Sequence, residues 1–382
     1  MSKTMKIFER IVGQPHAVEA LKAAIKSSHY VKNQTNQMTN TWLFTGPKGS
    51  GTLLTAKIFA ASLLCEKDGC GNCIDCETAI KGAHLDIEII EKSGKAIKIS
   101  EVRELISRSI LSPAVGKWRI VIIQEAELLT EAAANALLKI VEEPSLSTIW
   151  ILCTTSDNEI PSTLKSRCRN LRFRTPSNLE IKNYLVYYGV KEDVADYVSK
   201  ISQGNIGRAK YLATHPMAIE RRNTIIQLAT DVDSVTKAYH FAKEFIDISN
   251  LEDESAVESE YNFGEASSLT KAVTEIHELN KWNSSAKSTR SEKSSNSKNI
   301  QKILLTDLLG LYRDILISQI NCNVELINQN IVGKINALGL KISMNETILR
   351  MKKINEVIES LGSNVNSLVI IEHLMVNIRV PS

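Results

Sequence analysis

Two groups of residues in this sequence are spaced for chemistry. Gly46-Pro47-Lys48-Gly49-Ser50-Gly51-Thr52-Leu53 has the outline of a phosphate-binding loop, whose working form reads G-x-x-x-x-G-K-[ST]. Gly46, Gly49 and Gly51 suit a backbone cradle around phosphate. Thr52, however, stands where the lysine belongs, and Leu53 where the magnesium-binding hydroxyl belongs. The frame is kept and the charge-handling residues are replaced. The second group is Cys65, Cys70, Cys73 and Cys76, a C-x4-C-x2-C-x2-C run. Gly71 gives the tight backbone that lets neighbouring thiolates face one ion. Four thiolates at ~2.3 Å make a closed structural zinc tetrahedron. An iron–sulfur cluster is the chemical rival, because C-x2-C-x2-C also opens ferredoxin runs, although no Cys-Pro follows here. Asp68, Asn72 and Asp75 make this loop too polar for four unrelated core cysteines.

A third charge-handling position is altered as well. The apolar segment Trp118 to Ile123 ends in Gln124-Glu125, where a nucleotide hydrolase of this topology places an Asp for magnesium and then a Glu for the attacking water. Gln124 is neutral and a poor ligand for a hard cation. Glu125 remains, with no metal and no lysine beside it. Lys48 or Lys57 could in principle replace the missing lysine, though neither has its position, and nucleotide binding without turnover stays open.

The elements that must position these groups can be read from pattern. Thr41–Thr45 is a short apolar strand running into the glycine loop, and Thr55–Leu64 the helix after it. Asp86–Ile90, Trp118–Ile123, Thr148–Thr154 and Arg169–Arg174 read as further strands. Ser100 caps a helix through Ile110, and Thr130 caps the Ala-rich helix Glu131–Glu143, ended by Pro144. Strands that alternate with helices and are nearly all apolar predict a parallel sheet covered on both faces. Beyond Pro176 the strands stop. Short helices broken at Gly189 and Gly204 fill Asn178–Thr214, and Met217–Phe245 is helical. Residues 283–299 are almost entirely Ser, Lys, Asn, Arg and Glu and predict a disordered insert. Ile300–Ile320 returns to helix, with Ile303, Leu304, Leu308, Tyr312, Ile315 and Leu316 on one broad face.

Composition narrows the function class. The 382 residues carry a net charge of +3, so a nucleic-acid role must rest on local patches. Lys92, Lys95, Lys98, Arg103 and Arg108 form such a stretch, without the interleaved aromatics that stack on bases. No apolar run approaches the ~18 residues of a membrane span, and Met1 to Arg10 lacks the apolar core of a secretory signal. Four of the seven cysteines fall within twelve residues, which speaks for metal ligation in a reducing compartment, hence a cytosolic protein. Cys153, Cys168 and Cys322 read as small core residues.

Taken in order, Ile11-Val12-Gly13-Gln14-Pro15, the loop at Gly46, the cysteine cluster, Gln124-Glu125-Ala126, Ser166-Arg167-Cys168 and Gly204-Asn205-Ile206-Gly207-Arg208-Ala209 resemble the AAA+ subunits of the bacterial DNA polymerase III clamp loader. Among these, the altered loop is similar to the delta-prime type. The resemblance covers roughly the first 215 residues and implies three parts. Residues 1–175 would be an α/β, RecA-like AAA+ domain with a five-stranded parallel sheet and an inserted zinc module at 65–76. Residues 176–215 would be a helical lid, and 216–382 an all-α collar that joins sister subunits. The resemblance also implies that Arg167 is an arginine finger, projecting in trans onto ATP held by a neighbouring subunit. Thr155 matches a phosphate-sensing position, Arg208 a lid arginine that reaches bound ATP, and Val12 an adenine contact. Structural Zn2+ is implied for the cysteines, and ATP would not be hydrolysed. Implied partners are the ATPase motor subunits, a delta-type subunit, the sliding clamp and primer-template DNA, in a hetero-oligomer with no membrane. Two other readings compete: an ATP-hydrolysing motor subunit of the same machine, and a stand-alone zinc-dependent DNA-binding module.

Overall fold

The computed structural model describes residues 6–28, 38–91, 96–145, 147–215, 217–250, 289–361 and 366–379. Two compact units divide them. One takes the described residues up to Tyr184 together with Gly204–Gly207; the other takes Leu185–Gln203 and the described residues from Arg208 onward. This division cuts through the 176–215 segment rather than following its ends.

In the first unit, helix α1 (Pro15–Ser28) precedes strand β1 (Thr41–Thr45), and α2 (Thr52–Leu64) leaves the glycine loop. Then come α3 (Ile74–Lys81), β2 (Ile87–Ile90), α4 (Ile99–Ser109), β3 (Arg119–Ile123), α5 (Glu131–Glu142), β4 (Thr148–Thr154), the short turn α6 (Ser162–Lys165) and β5 (Arg169–Arg172). The strands form one five-stranded sheet in the order β2-β3-β4-β1-β5, every pair parallel. This is the α/β, helix-covered architecture expected from the sequence.

The two-residue period of a strand sorts the core onto the two faces. Trp42, Phe44, Ile120, Ile122, Ile149, Ile151 and Cys153 pack on one side with α1 and α2. Leu43, Val121, Ile123, Trp150 and Leu152 pack on the other with α4 and α5. β1 and β4, paired on both edges, are buried throughout, whereas the outer strand β5 exposes Asn170 and Arg172. Charge on an outer strand discourages pairing with another chain.

Helix α7 (Asn178–Tyr187) spans the division. The second unit holds α8 (Glu192–Ile201), α9 (Ile206–Thr214) from Arg208 onward, α10 (Ala218–Thr230), α11 (Val235–Asn250), α12 (Thr289–Ile320), α13 (Val332–Lys341), α14 (Met344–Ser360) and α15 (Ser367–Ile378). Ile225, Phe241, Phe245, Leu304, Leu308, Tyr312, Ile315 and Ile371 belong to its core. Gly189 and Gly204 break the helices in left-handed backbone, φ +88° and +78°, where glycine is free of the Cβ penalty.

Three expectations are corrected. Ser100 does not cap α4: Glu101 reaches back to the Lys98 N–H at 2.9 Å, so the helix starts at Ile99 and Ser100 lies in its first turn. The disorder expected over 283–299 fails from Thr289, where α12 begins; Lys, Arg and Glu are good helix formers, and the apolar face from Ile300 anchors the turns before it. Residues 283–288 lie outside the described residues. Cys322 is exposed, because α12 ends at Ile320 and the chain turns outward.

Candidate functional site

The glycine loop joins the carboxyl end of β1 to the amino end of α2, at the sheet edge where open α/β folds hold ligands. Gly46 N–H bonds to Thr154 O at 3.0 Å, so the loop starts against the end of β4. Gly49 and Gly51 take φ +85° and +90°, positions that exclude most side chains on conformation alone. At Gly49 a Cβ would also lie 2.2 Å from Cγ of Asn205. The Ile206 N–H bonds to Gly49 O at 3.0 Å. The Gly204–Gly207 segment therefore lies as a strap directly on the loop.

Thr52 opens α2, with Leu53 after it, so these two residues occupy the places of the motif's lysine and hydroxyl. Lys48 is exposed and pairs with Glu125 at 3.2 Å. Lys57 is buried in α2 and pairs with Glu91 at 3.4 Å. Thr155 follows β4 and donates its hydroxyl to Glu127 Oε1 at 3.0 Å. Val12 is buried. Beside it, Gln14 ties three segments together: its Nε2 donates to Ser50 O at 3.3 Å and Arg174 O at 2.6 Å, and its Oε1 accepts from Arg174 N at 3.1 Å.

Arg167 lies elsewhere in the same unit. It precedes β5, whose first residue Arg169 is level with Trp42 near the start of β1. The glycine loop leaves the other end of β1, at least ~10 Å away along the strand direction. The Arg167 guanidinium is exposed. Its Nη1 donates to Thr163 O at 2.8 Å and its Nη2 pairs with Glu142 at 2.7 Å. The basic stretch is only partly available: Arg108 pairs with Glu88 at 2.7 Å and with Glu104 at 3.5 Å, while Lys92 and Lys95 lie outside the described residues.

The four cysteines do come together. Their sulfurs all lie within 4.8 Å of one another and could hold a metal ion. Cys65 Sγ is 3.7 Å from both Cys70 Sγ and Cys73 Sγ, close to the ~3.8 Å edge of a tetrahedron with ~2.3 Å metal–sulfur bonds. Several irons between the sulfurs would need them farther apart, so a single ion fits better. Backbone N–H groups of Lys67, Cys70, Gly71 and Cys76 point at the sulfurs. Burial pushes the Cys73 thiol up to about 11 and raises Cys76 too. Burial also acts on Cys70, but the Asn72 N–H and neighbouring thiols outweigh it and bring it to about 7. Such mutual opposition is what a bound cation relieves. Cys65 and Cys76 lie in the core, and Ile7 N–H bonds to Gly69 O at 3.3 Å, so the cluster pins the N-terminal turn to α2 and α3.

Residues 14–177 match the family described as DNA polymerase III, delta subunit. The chain is similar to the DNA polymerase III subunit gamma of Buchnera aphidicola subsp. Schizaphis graminum, 27% identical over 61% of this chain and 64% of that protein. It is similar to the subunit tau of Bacillus subtilis, 34% identical over 44% of this chain and 29% of that protein. It is also similar to the subunit delta' of B. subtilis, 28% identical over 52% of this chain and 61% of that protein. The chain thus spans less than two thirds of each relative's length. Residues 14–177 are thus similar to a domain of DNA polymerase III subunits.

Within the first unit the structure brings together the loop at Gly46–Thr52, the end of β4 before Thr155 and, through Lys48, Glu125; Val12 is buried two residues before Gln14, which bonds to Ser50 O. Arg208 belongs to the second unit, where its guanidinium is buried against the carboxylate of Asp307. Arg222 shares that carboxylate at 2.7 Å and reaches Asn328 Oδ1 at 2.5 Å. Burial pushes Arg208 below the usual arginine range, and Asp307 opposes that. The residue expected as a lid arginine thus pairs with Asp307 in this structure.

Three residues carry little signal in the sequence. Gln14 and Asn205 build the loop but stand there only as parts of longer motifs. Asp86 is buried, and its carboxylate accepts from the N–H groups of Ala114, Val115 and Gly116 at 2.5, 2.9 and 2.8 Å. Its only sequence signal is an acid placed just before an apolar strand.

Proposed function

We propose that this chain is a non-hydrolysing, delta-prime-type subunit of a DNA polymerase III clamp loader, which lends Arg167 to ATP held by a neighbouring ATPase subunit. The observation that carries this reading is the separation of two groups across one sheet. The loop at the carboxyl edge has lost its lysine, its metal hydroxyl and, through Gln124, its metal carboxylate, while an exposed arginine stands at the amino edge. From there Arg167 cannot serve its own loop. A guanidinium supplied to another subunit's transferred phosphoryl group neutralises the charge that develops there and can raise the rate ~10³-fold or more.

In this reading Zn2+ in the Cys65, Cys70, Cys73 and Cys76 tetrahedron is structural, since protein fills all four positions. The helical second unit serves as collar against sister subunits, an assignment supported by its exposed apolar Leu340, Met344, Ile348 and Leu349. Primer-template DNA is followed without sequence readout, and the protein works in the cytoplasm with a delta-type subunit and the sliding clamp.

The relatives named gamma and tau favour a second reading, an ATP-hydrolysing motor subunit. Thr52, Leu53 and Gln124 oppose it. Reconstitution of the loader with Arg167→Ala tests the proposal. Assembly should persist while DNA-stimulated ATPase is lost; unchanged ATPase would remove the trans role.

A further inference from the structure

We propose that Glu142 is the positioning residue for Arg167, gripping one edge of its guanidinium so that the remaining donors face outward toward an anion. The inference rests on the trans-acting arginine proposed above. Glu142 is the last residue of α5. A carboxylate there opposes the helix dipole, which favours cations in a C-terminal turn. The helix gains nothing from the acid in that place, but Arg167 does: its Nη2 lies 2.7 Å from Glu142 Oε1.

The grip has a second jaw. Thr163 O, in the α6 turn, takes Nη1 at 2.8 Å, and Ser166 Oγ lies 3.5 Å from the same nitrogen. Two acceptors on two different elements fix the plane of the guanidinium as well as its distance. Five N–H donors sit in a rigid fork, and these two bonds leave others of the five to meet a phosphate oxygen pair. The nearby cations are occupied otherwise. Lys165 and Arg172 both pair with Asp157, and Arg169 lies over the Trp42 ring at 4.8 Å. Glu142 therefore selects Arg167 among four neighbouring positive side chains.

The grip is half-exposed on both sides, so its contribution lies in orientation. Misplacing a reacting group by about 1 Å can cost ~10²-fold in rate. The test uses the reconstituted loader and follows DNA-stimulated ATPase with Arg167→Ala, Glu142→Ala, Glu142→Gln, Glu143→Ala and the Arg167→Ala/Glu142→Ala double variant. Glu142→Ala should lower kcat about 10- to 100-fold, with KM for ATP unchanged. Glu142→Gln keeps an acceptor for Nη2 and should return to within about threefold of wild type, since the grip is a hydrogen bond. Glu143→Ala removes the same charge one residue along and should have no effect. The double variant should match Arg167→Ala alone, because the two residues act as one unit.

A wild-type or raised kcat for Glu142→Ala, beside an inactive Arg167→Ala, overturns the positioning role and leaves the proposed function standing. Equal loss in Glu142→Ala and Glu142→Gln would show that charge rather than aim matters, and also overturns it. Full activity in Arg167→Ala would remove both proposals together.

Discussion

Replacing Cys76 with serine tests the metal centre, and the structure sets the size of the effect. Cys65 Sγ lies 3.7 Å from two of its partners and all four sulfurs lie within 4.8 Å, so one ion at ~2.3 Å from each closes the site once the wider pairs draw in by at most about 1 Å. Free metal at a thousand times its Kd stabilises the folded form by about 4 kcal/mol. For a unit of this size each kcal/mol moves the melting midpoint by about 2–4 °C. Chelation of the wild-type protein should thus lower the midpoint of the first unit by roughly 8–16 °C. Cys76→Ser should melt near that lower midpoint and ignore the chelator, and Cys322→Ser, at an exposed site, should behave as wild type. Metal analysis by mass spectrometry should find zinc in the wild type and none in Cys76→Ser. Protein purified with no metal, with iron and inorganic sulfide, or with a midpoint indifferent to chelation would refute the reasoning.

Three further outcomes follow from buried or strained positions. Asp86 is held below the usual carboxylate range: burial raises it, but the three N–H bonds from Gly116, Ala114 and Val115 lower it more. Its contribution is therefore full above the ordinary value of ~3.9 and lost as pH falls through the lower folded value. Asp86→Ala should cost about 2–4 kcal/mol at pH 7 and flatten the acid decline of the urea midpoint. Asp307→Ala strands Arg208 and Arg222 inside the second unit and should cost about 3–5 kcal/mol by urea denaturation, part of it recovered by adding Arg208→Met. Gly49→Ala should destabilise more than Gly51→Ala in the same assay. Both strain a left-handed backbone at about 1–3 kcal/mol, but only at Gly49 does the new Cβ run into Asn205, the nearest atom at Gly51 being Ile206 Cδ1 at 3.5 Å.

What was legible in the sequence was local or periodic. β1, β3 and β4 are buried on both faces, so their apolar runs announced them, and Thr130 caps α5 as its type implies, accepting from Ala133 N–H at 3.3 Å. The cysteine cluster was legible because its ligands fall within a dozen residues. What stayed hidden depends on partners far along the chain. Gln14 bonds to Arg174 across 160 positions, Asp307 neutralises Arg208 across 99, and Asp86 bonds to backbone groups that carry no side-chain signature. Glu142 was hidden for the same reason: its partner enters from the turn before β5. Cys322 shows the converse error, in which residue type suggested core and the actual neighbour was solvent.

Magnesium-dependent ATP hydrolysis by the purified chain alone tests the central claim most directly. With Thr52, Leu53 and Gln124 at the charge-handling positions and Asn205 lying on Gly49, no turnover above background is expected, even with primer-template DNA present. Turnover that requires magnesium and disappears in Glu125→Gln would contradict the account.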